Sequence, residues 1–226
     1  MRRPARLRGR ADTTLSAAVR PENARTSAAV MGALAAVLIV LQLVNTVTGY
    51  ALNHSLGLIS RQLGGLDGIL FAPLLHGGWG HLFGNLTMLM LLGVLFFVAG
   101  VREFLVTTAF VWVVGGLGVW LLGPSNTVTV GSSILVFGWL AYLIARGLFT
   151  RNVWQLLIGA VLALLYWGVL WSGIVSTAWA DVVGTTGISW QGHLMGAVGG
   201  VLAAVVLGRR VQRRLDSRRR WSGPVI

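Results

Sequence analysis

The sequence predicts an all-α membrane protein whose helices cross the bilayer six times. Hydrophobic residues make up 55% of the 226-residue chain and charged residues only 11%, whereas a soluble domain usually carries about 25% charged residues. The mean hydropathy is +0.77. Six apolar segments approach the roughly 20 residues that a membrane-spanning helix needs. The basic residues also lie almost entirely in the segments that would face one side of the membrane.

The six predicted spans follow one another along most of the chain. The first contains the apolar run Leu34–Leu41. It begins late and lacks a cleavage site of small residues, so a secretory signal peptide is not expected. The segments that separate the later spans are 100–103, 123–131, 150–152 and 173–191. The predicted spans cover residues 28–50, 81–99, 104–122, 132–149, 153–172 and 192–208.

All 18 basic residues are arginines, and their placement orients the bundle. With the N-terminus in the cytoplasm, 17 arginines lie on the inner side and Arg61 alone lies outside, as the positive-inside rule requires. This orientation predicts a basic cytoplasmic tail at 1–27, a six-span domain at 28–208 and a second basic cytoplasmic tail at 209–226. The formal net charge of +12 is concentrated in these tails, which favours contact with the membrane surface and argues against a nucleic-acid partner.

The longest connection, residues 51–80, is unusually apolar for a loop between two spans. Residues 56–59 and 68–75 are mostly hydrophobic, which suits a segment that is partly immersed in the outer interface. Two interpretations remain open from the sequence. The connection is either a packing loop or the lateral wall of a site.

Polar side chains stand at the outer start of three different spans. His81 and Asn85 open the second span, Ser133 opens the fourth and His193 opens the sixth. Charged groups in a bilayer cost roughly 2.5–3.5 kcal/mol, and polar groups there usually mark function. A single buried histidine is more often structural, but four polar groups at one depth indicate a shared site.

Small residues recur at every fourth position of the sixth span. Such a stripe lets two helix backbones approach closely in lipid, and here we expect it to bring His193 towards Ser133. Gly131 allows the chain to turn into the fourth span. Phe137, one helical turn after Ser133, is either a support for the imidazole or a plain core aromatic. The stripe consists of Gly192, Gly196, Gly200, Ala204 and Gly208.

Taken in order, these motifs resemble those of the rhomboid family of intramembrane serine proteases. The resemblance covers residues 30–208 and rests on three motifs. They are His76-x4-His81-x3-Asn85, Gly131-Ser132-Ser133 with Phe137 following, and His193-x2-Gly196-x3-Gly200. Two positions depart from the family pattern. Ile134 stands where a glycine usually follows the serine. The family often has an acidic residue between spans two and three that is closer to span two than its candidate equivalent here, Glu103.

The resemblance implies a serine endopeptidase of the bacterial cell membrane that cleaves transmembrane segments of other proteins, with no cofactor or metal. A serine hydroxyl needs a base, and His193 is the candidate base for Ser133. Spans four and six contain no Asp or Glu, so a Ser–His dyad is expected rather than a triad. His81 and Asn85 are the expected oxyanion donors, with His76, Gly131, Phe137, Gly196 and Gly200 in support.

Three rival functions remain. A non-catalytic rhomboid-like protein that binds membrane clients would keep the fold, and Ile134 is its best support. A metal or haem site would use His76, His81 and His193, but the chain has no HExxH motif and no carboxylate to support such ligands. A transporter would need internal repeats of broken spans, and none is visible in the sequence.

Overall fold

The computed structural model describes residues 21–182 and 187–221, and long apolar helices dominate these ranges. The tail residues 1–20 and 222–226 lie outside the described residues. The helices are α1 (Pro21–Val47), α2 (Ala51–Leu56), α3 (Gly68–Phe71), α4 (Trp79–Ala99), α5 (Val101–Leu122), α6 (Ser133–Thr150), α7 (Val153–Leu165), α8 (Trp167–Leu170), α9 (Thr177–Val182) and α10 (Trp190–Trp221). Two short strands, β1 (Leu58–Ile59) and β2 (Val128–Thr129), pair antiparallel.

The predicted all-α bundle is confirmed, and the described residues contain five helices that are long and apolar enough to cross a membrane. A sixth span is formed if Val153–Leu165 and Trp167–Val182 are counted together, although they are bent by 63°. The prediction of one continuous helix at 153–172 is therefore wrong. The bend lies beside Gly168 and a π-helical turn at Trp171–Ser176, and glycines and π turns are usual causes of sharp kinks.

The last helix extends well beyond the end predicted for the sixth span. α10 continues from Trp190 to Trp221, whereas the apolar segment ends at 208. Arg, Gln and Leu are good helix formers, so the loss of hydrophobicity at residue 209 does not end the helix. The arginines at 209, 210, 213 and 214 are therefore carried on a helical face and do not belong to an irregular tail.

The glycine stripe brings the backbones of α6 and α10 into direct contact. A Cβ added to Gly200 would overlap the carbonyl oxygen of Gly138, and one added to Gly196 would overlap the carbonyl oxygen of Ile134. Such contact allows close van der Waals packing in lipid, where helices gain little from the hydrophobic effect. The close approach of spans four and six that the stripe predicts is present.

The connection between α1 and α4 packs on α5. The indole of Trp112 donates a hydrogen bond of 2.8 Å to the carbonyl of Ile69, and that of Trp120 donates one of 2.8 Å to the carbonyl of Gln62. The pairing of Leu58 with Thr129 ties the same connection to the segment before α6. These contacts favour the packing interpretation of residues 51–80.

Gly200→Ala should destabilise the protein by about 1–3 kcal/mol, because the added methyl group overpacks the contact between α6 and α10. Gly32→Ala on α1 is the matched control, since a Cβ there meets nothing within 4 Å. Reversible unfolding in detergent measures both variants. Equal free energies of unfolding for the two would contradict the proposed role of this contact.

Candidate active site

The starts of α4, α6 and α10 surround a cavity of about 630 Å³. All four polar residues that the sequence singled out line this cavity. From the connection at 51–78, the cavity lining includes Gly77. This connection therefore contributes little of the cavity wall. The predicted site residues on the cavity wall are His81, Asn85, Gly131, Ser133, Phe137 and His193.

The two adjacent serines before and at the start of α6 have different surroundings. Ser132 is 1% exposed, and its hydroxyl is hydrogen-bonded to Nε2 of His76 at 3.1 Å. Ser133 is partly exposed and lines the cavity. It is also the first residue of α6, where the backbone N–H has no intrahelical acceptor. Ser133 is therefore the serine that a molecule in the cavity can reach.

His76 lies behind the cavity in a buried polar cluster. Its carbonyl accepts hydrogen bonds from the side-chain amides of Asn45 and Asn53, at 3.3 and 3.1 Å. Burial, with a smaller contribution from the neighbouring His81, lowers the pKa of His76 to about 4. This imidazole is therefore neutral at pH 7 and serves as a hydrogen-bonding link between the connection and Ser132.

His193 is held by two contacts. Its Nδ1 donates a hydrogen bond of 2.6 Å to the carbonyl of Gly173, and its ring stacks on Phe137 with the centroids 4.1 Å apart and the planes 5° apart. Because a carbonyl can only accept, Nδ1 carries the proton and Nε2 of the neutral ring has the free lone pair.

The Gly173 carbonyl is a partner of His193 in the candidate site that sequence reasoning missed. It belongs to the π-helical turn Trp171–Ser176 of the broken fifth span, and such turns are frequent at functional sites. A Cβ on Gly173 would overlap the ring of Phe137, so a glycine is needed here. In the sequence, Gly173 is a single glycine in an apolar segment. A glycine in such a segment does not reveal which group its main-chain carbonyl contacts.

Potential hydrogen-bond donors gather around Gly131. Its φ of +126° favours glycine, and a Cβ there would lie 2.8 Å from Nε2 of His81 and 3.6 Å from Nδ2 of Asn85. Within the described part of the chain, the buried Nδ2 of Asn85 has no hydrogen-bond partner. A buried donor without a partner is costly, and Asn85 also lines the cavity, so a molecule there can accept a hydrogen bond from it.

Ile134, the departure from the family pattern, lines the cavity with Ser133 and packs between α5 and α10. Its side chain is 4% exposed and packs where Gly115 of α5 and Gly192 of α10 leave room. A Cβ on Gly115 would overlap Cγ2 of Ile134, and one on Gly192 would lie 3.2 Å from its Cγ1. Two glycines on neighbouring helices thus accommodate the branched side chain.

Glu103 lies far from the cavity, in the first turn of α5. Its carboxylate pairs with Arg146 at 3.0 Å and accepts a hydrogen bond of 3.0 Å from the hydroxyl of Tyr142. A carboxylate is also favourable at a helix N-terminus. Glu103 therefore links α5 to the end of α6 that is remote from Ser133.

The described residues do not support the metal interpretation. Among them, no group of three or more His, Cys, Asp or Glu could hold a metal ion.

Comparison with known proteins places these features in a family. A model of the Rhomboid domain matches residues 64–210. An uncharacterized protein of Mycobacterium tuberculosis is 42% identical over 178 residues, which is 76% of this chain and 71% of that protein. An uncharacterized protein of Mycobacterium leprae is 41% identical over 179 residues, 76% of this chain and 68% of that protein. Rhomboid-like protease 5 of Toxoplasma gondii is 30% identical over 166 residues, 72% of this chain and 18% of that protein. No solved structure matches.

Gly115→Ala and Ile134→Ala should each destabilise the protein, the first by overpacking and the second by leaving a cavity. Because the two side chains compete for one space, the double variant should be more stable than the sum of the single effects by at least about 1 kcal/mol. Equilibrium unfolding of the three variants measures this coupling. Additive effects, within about 0.5 kcal/mol, would show that Ile134 does not depend on Gly115.

Proposed function

Because this chain belongs to the rhomboid family, we propose that it is an intramembrane serine endopeptidase that cleaves transmembrane segments of other membrane proteins. The observation that carries the proposal is the cavity shared by Ser133 and His193, in which the Nδ1 hydrogen bond to Gly173 leaves Nε2 free. A hydroxyl that lines a cavity and an imidazole with a free lone pair are the two groups that acyl transfer needs.

In the proposed reaction, Nε2 of His193 takes the proton of the Ser133 hydroxyl as its oxygen attacks the carbonyl carbon of the scissile peptide bond. The protonated imidazole then donates this proton to the leaving amine, and an acyl-enzyme forms on Ser133. A water molecule enters the cavity, gives up its proton to His193 and releases the new carboxyl end. The serine hydroxyl is restored when it receives that proton.

Negative charge develops on the carbonyl oxygen of the substrate during the attack. The unpaired Nδ2 of Asn85 and the backbone N–H of Ser133 are suited to donate hydrogen bonds to it, with His81 beside them. Removal of one such donor typically costs about 2.7–4 kcal/mol in the transition state. The donor of Asn85 is already unpaired in the free protein, so the substrate need not displace a protein partner.

The orientation of the base does not require a carboxylate in this proposal. In a Ser–His–Asp triad, the carboxylate selects the tautomer and holds the ring. Here the Gly173 carbonyl accepts from Nδ1, and Phe137 restricts the ring plane. Both tasks are therefore assigned to groups present in the cavity, which supports a Ser–His dyad.

The alternative of a non-catalytic protein that binds membrane clients rested on Ile134. That side chain occupies the space beside Gly115 and Gly192, and Ser133 remains partly exposed. This packing lets the branched side chain be accommodated without burying Ser133, and on that ground we favour the protease.

We further propose that residues 28–208 form the catalytic domain of an integral protein of the bacterial cell membrane. Both basic ends, 1–27 and 209–226, would lie on the cytoplasmic side. The distribution of arginine, with 17 of 18 residues on that side, supports this orientation.

Ser133→Ala should abolish cleavage of a transmembrane reporter substrate in liposomes, because it removes the attacking oxygen. The matched control is Ser132→Ala, which changes the neighbouring hydroxyl bonded to His76 and should retain measurable cleavage. Product formation by electrophoresis compares the two. Cleavage by Ser133→Ala at the wild-type rate would overturn the assignment of the nucleophile.

Asn85→Asp should lower kcat by about 100- to 1,000-fold with little change in KM, because it replaces the amide donor by an acceptor of similar shape. Thr87→Ala on the same helix is the control, since Thr87 is exposed and bonds the carbonyl of Phe83. Steady-state kinetics in proteoliposomes separate the two constants. An Asn85→Asp variant with the wild-type kcat would remove Asn85 from the oxyanion site.

A further inference from the structure

A second cavity, of about 340 Å³, lies at the end of α6 remote from Ser133. Three arginines line it, one from the turn after α6 and two from α10, and we call it the arginine pocket. Apolar side chains from the last turns of α6 form another part of its wall. The lining residues are Leu148, Phe149, Arg151, Arg209, Gln212, Arg213 and Asp216.

The arginine pocket stands at the level of a membrane surface. α6 runs from Ser133 to Thr150, and 17 steps of 1.5 Å give a length of about 26 Å. This is close to the roughly 30 Å thickness of the hydrocarbon core. If Ser133 lies near one interface, the pocket therefore lies near the headgroups of the other leaflet.

Hydrogen bonds hold the wall of the pocket in place. Arg151 has a φ of 53° and ends α6, and the side chain of Asn152 caps α7 by accepting from the N–H groups of Trp154 and Gln155. The side-chain amide of Gln212 on α10 donates to the carbonyl of Thr150. The turn is thus fastened to the helix that carries Arg209 and Arg213.

The charges of the pocket leave it in need of an anion. Three arginines and Asp216 give a formal charge of +2 at neutral pH. Among the described residues, the ion pair that the structure contains joins Arg146 to Glu103. The three arginines of the pocket therefore form no ion pair with a carboxylate of the described residues. Guanidinium groups bind phosphate oxygens through paired hydrogen bonds.

The surface beside the pocket is apolar and faces outward. Leu148, on the pocket wall, is 63% exposed, and Val153 and Trp154 at the start of α7 are 61% and 66% exposed. In a bilayer this surface would contact acyl chains. The pocket and its surroundings therefore match a ligand with an anionic head and a long apolar tail, whereas a free phosphate ion would use only the arginines.

We propose that the arginine pocket binds the phosphodiester headgroup of one anionic phospholipid, with its acyl chains along the exposed surface of α7. Basic pockets between helices at a membrane surface are suited to such headgroups. Asp216 also lines the pocket, and its negative charge limits the number of negative charges that a bound headgroup can carry. Its carboxylate can accept hydrogen bonds from a headgroup with hydroxyl groups and so orient it.

The test measures lipid binding to the full-length protein in detergent by native mass spectrometry. The probes are phosphatidylglycerol, cardiolipin and phosphatidylcholine, each titrated alone, and then phosphatidylglycerol with inorganic phosphate as competitor. We expect one anionic lipid, of either type, to bind at least about tenfold more tightly than phosphatidylcholine, because each nearby arginine favours the anion. Inorganic phosphate at millimolar concentration should not displace it.

Arg209→Gln/Arg213→Gln should weaken this binding by about tenfold or more. The matched control is Arg210→Gln/Arg214→Gln, which removes the same charge from α10. These two arginines line a separate cavity of about 180 Å³, together with Arg102 and Glu103, and do not line the arginine pocket. We therefore expect less than a threefold loss for a lipid bound in the arginine pocket. Thermal unfolding verifies that both variants are folded.

Three results would overturn the proposal. Equal losses in the two double variants would mean that the arginines act only through general surface charge. Equal affinity for phosphatidylcholine would remove the requirement for an anion. Displacement by inorganic phosphate would reassign the pocket to a free phosphate ion.

Discussion

Direct contact between the backbones of α6 and α10 is the constraint on which the rest of this structure depends. Gly200 lies against the carbonyl of Gly138, and Gly196 lies against that of Ile134, so the two helices approach more closely than helices with larger side chains could. Ser133 begins one of these helices and His193 lies in the first turn of the other. Any side chain that separates the backbones would therefore also separate these two residues. The stability of the bundle and the geometry of the cavity depend on the same packing.

A second constraint is the supply of hydrogen bonds at a cavity whose described lining contains no carboxylate. The Gly173 carbonyl orients His193 from a π-helical turn, and the buried cluster around His76 holds Ser132 beside the partly exposed Ser133. In a low-dielectric setting, neutral donors and acceptors avoid the large desolvation cost of a buried charge. The proposed catalytic groups, all neutral, are thus compatible with a place in a membrane.

The sequence predicted the features that depend on local spacing. The order of the spans, the small-residue stripe and the gathering of four polar residues all follow from periodicity and from where each apolar segment begins. The sequence did not predict the features that depend on main-chain geometry or on contacts with distant parts of the chain. The break after Leu165 and the role of the Gly173 carbonyl have no side-chain signature. The fit of Ile134 beside Gly115 depends on a different helix, and the extension of α10 depends on helix propensity after the apolar segment has ended.

The central claim is that Ser133, and not its buried neighbour, is a hydroxyl activated for attack. Treatment of the membrane-embedded protein with a fluorophosphonate, followed by intact mass and peptide mapping, tests it most directly. We predict one adduct per chain, located on Ser133, and its loss in His193→Ala because the base is absent. An unmodified protein, or an adduct on Ser132, would contradict the account.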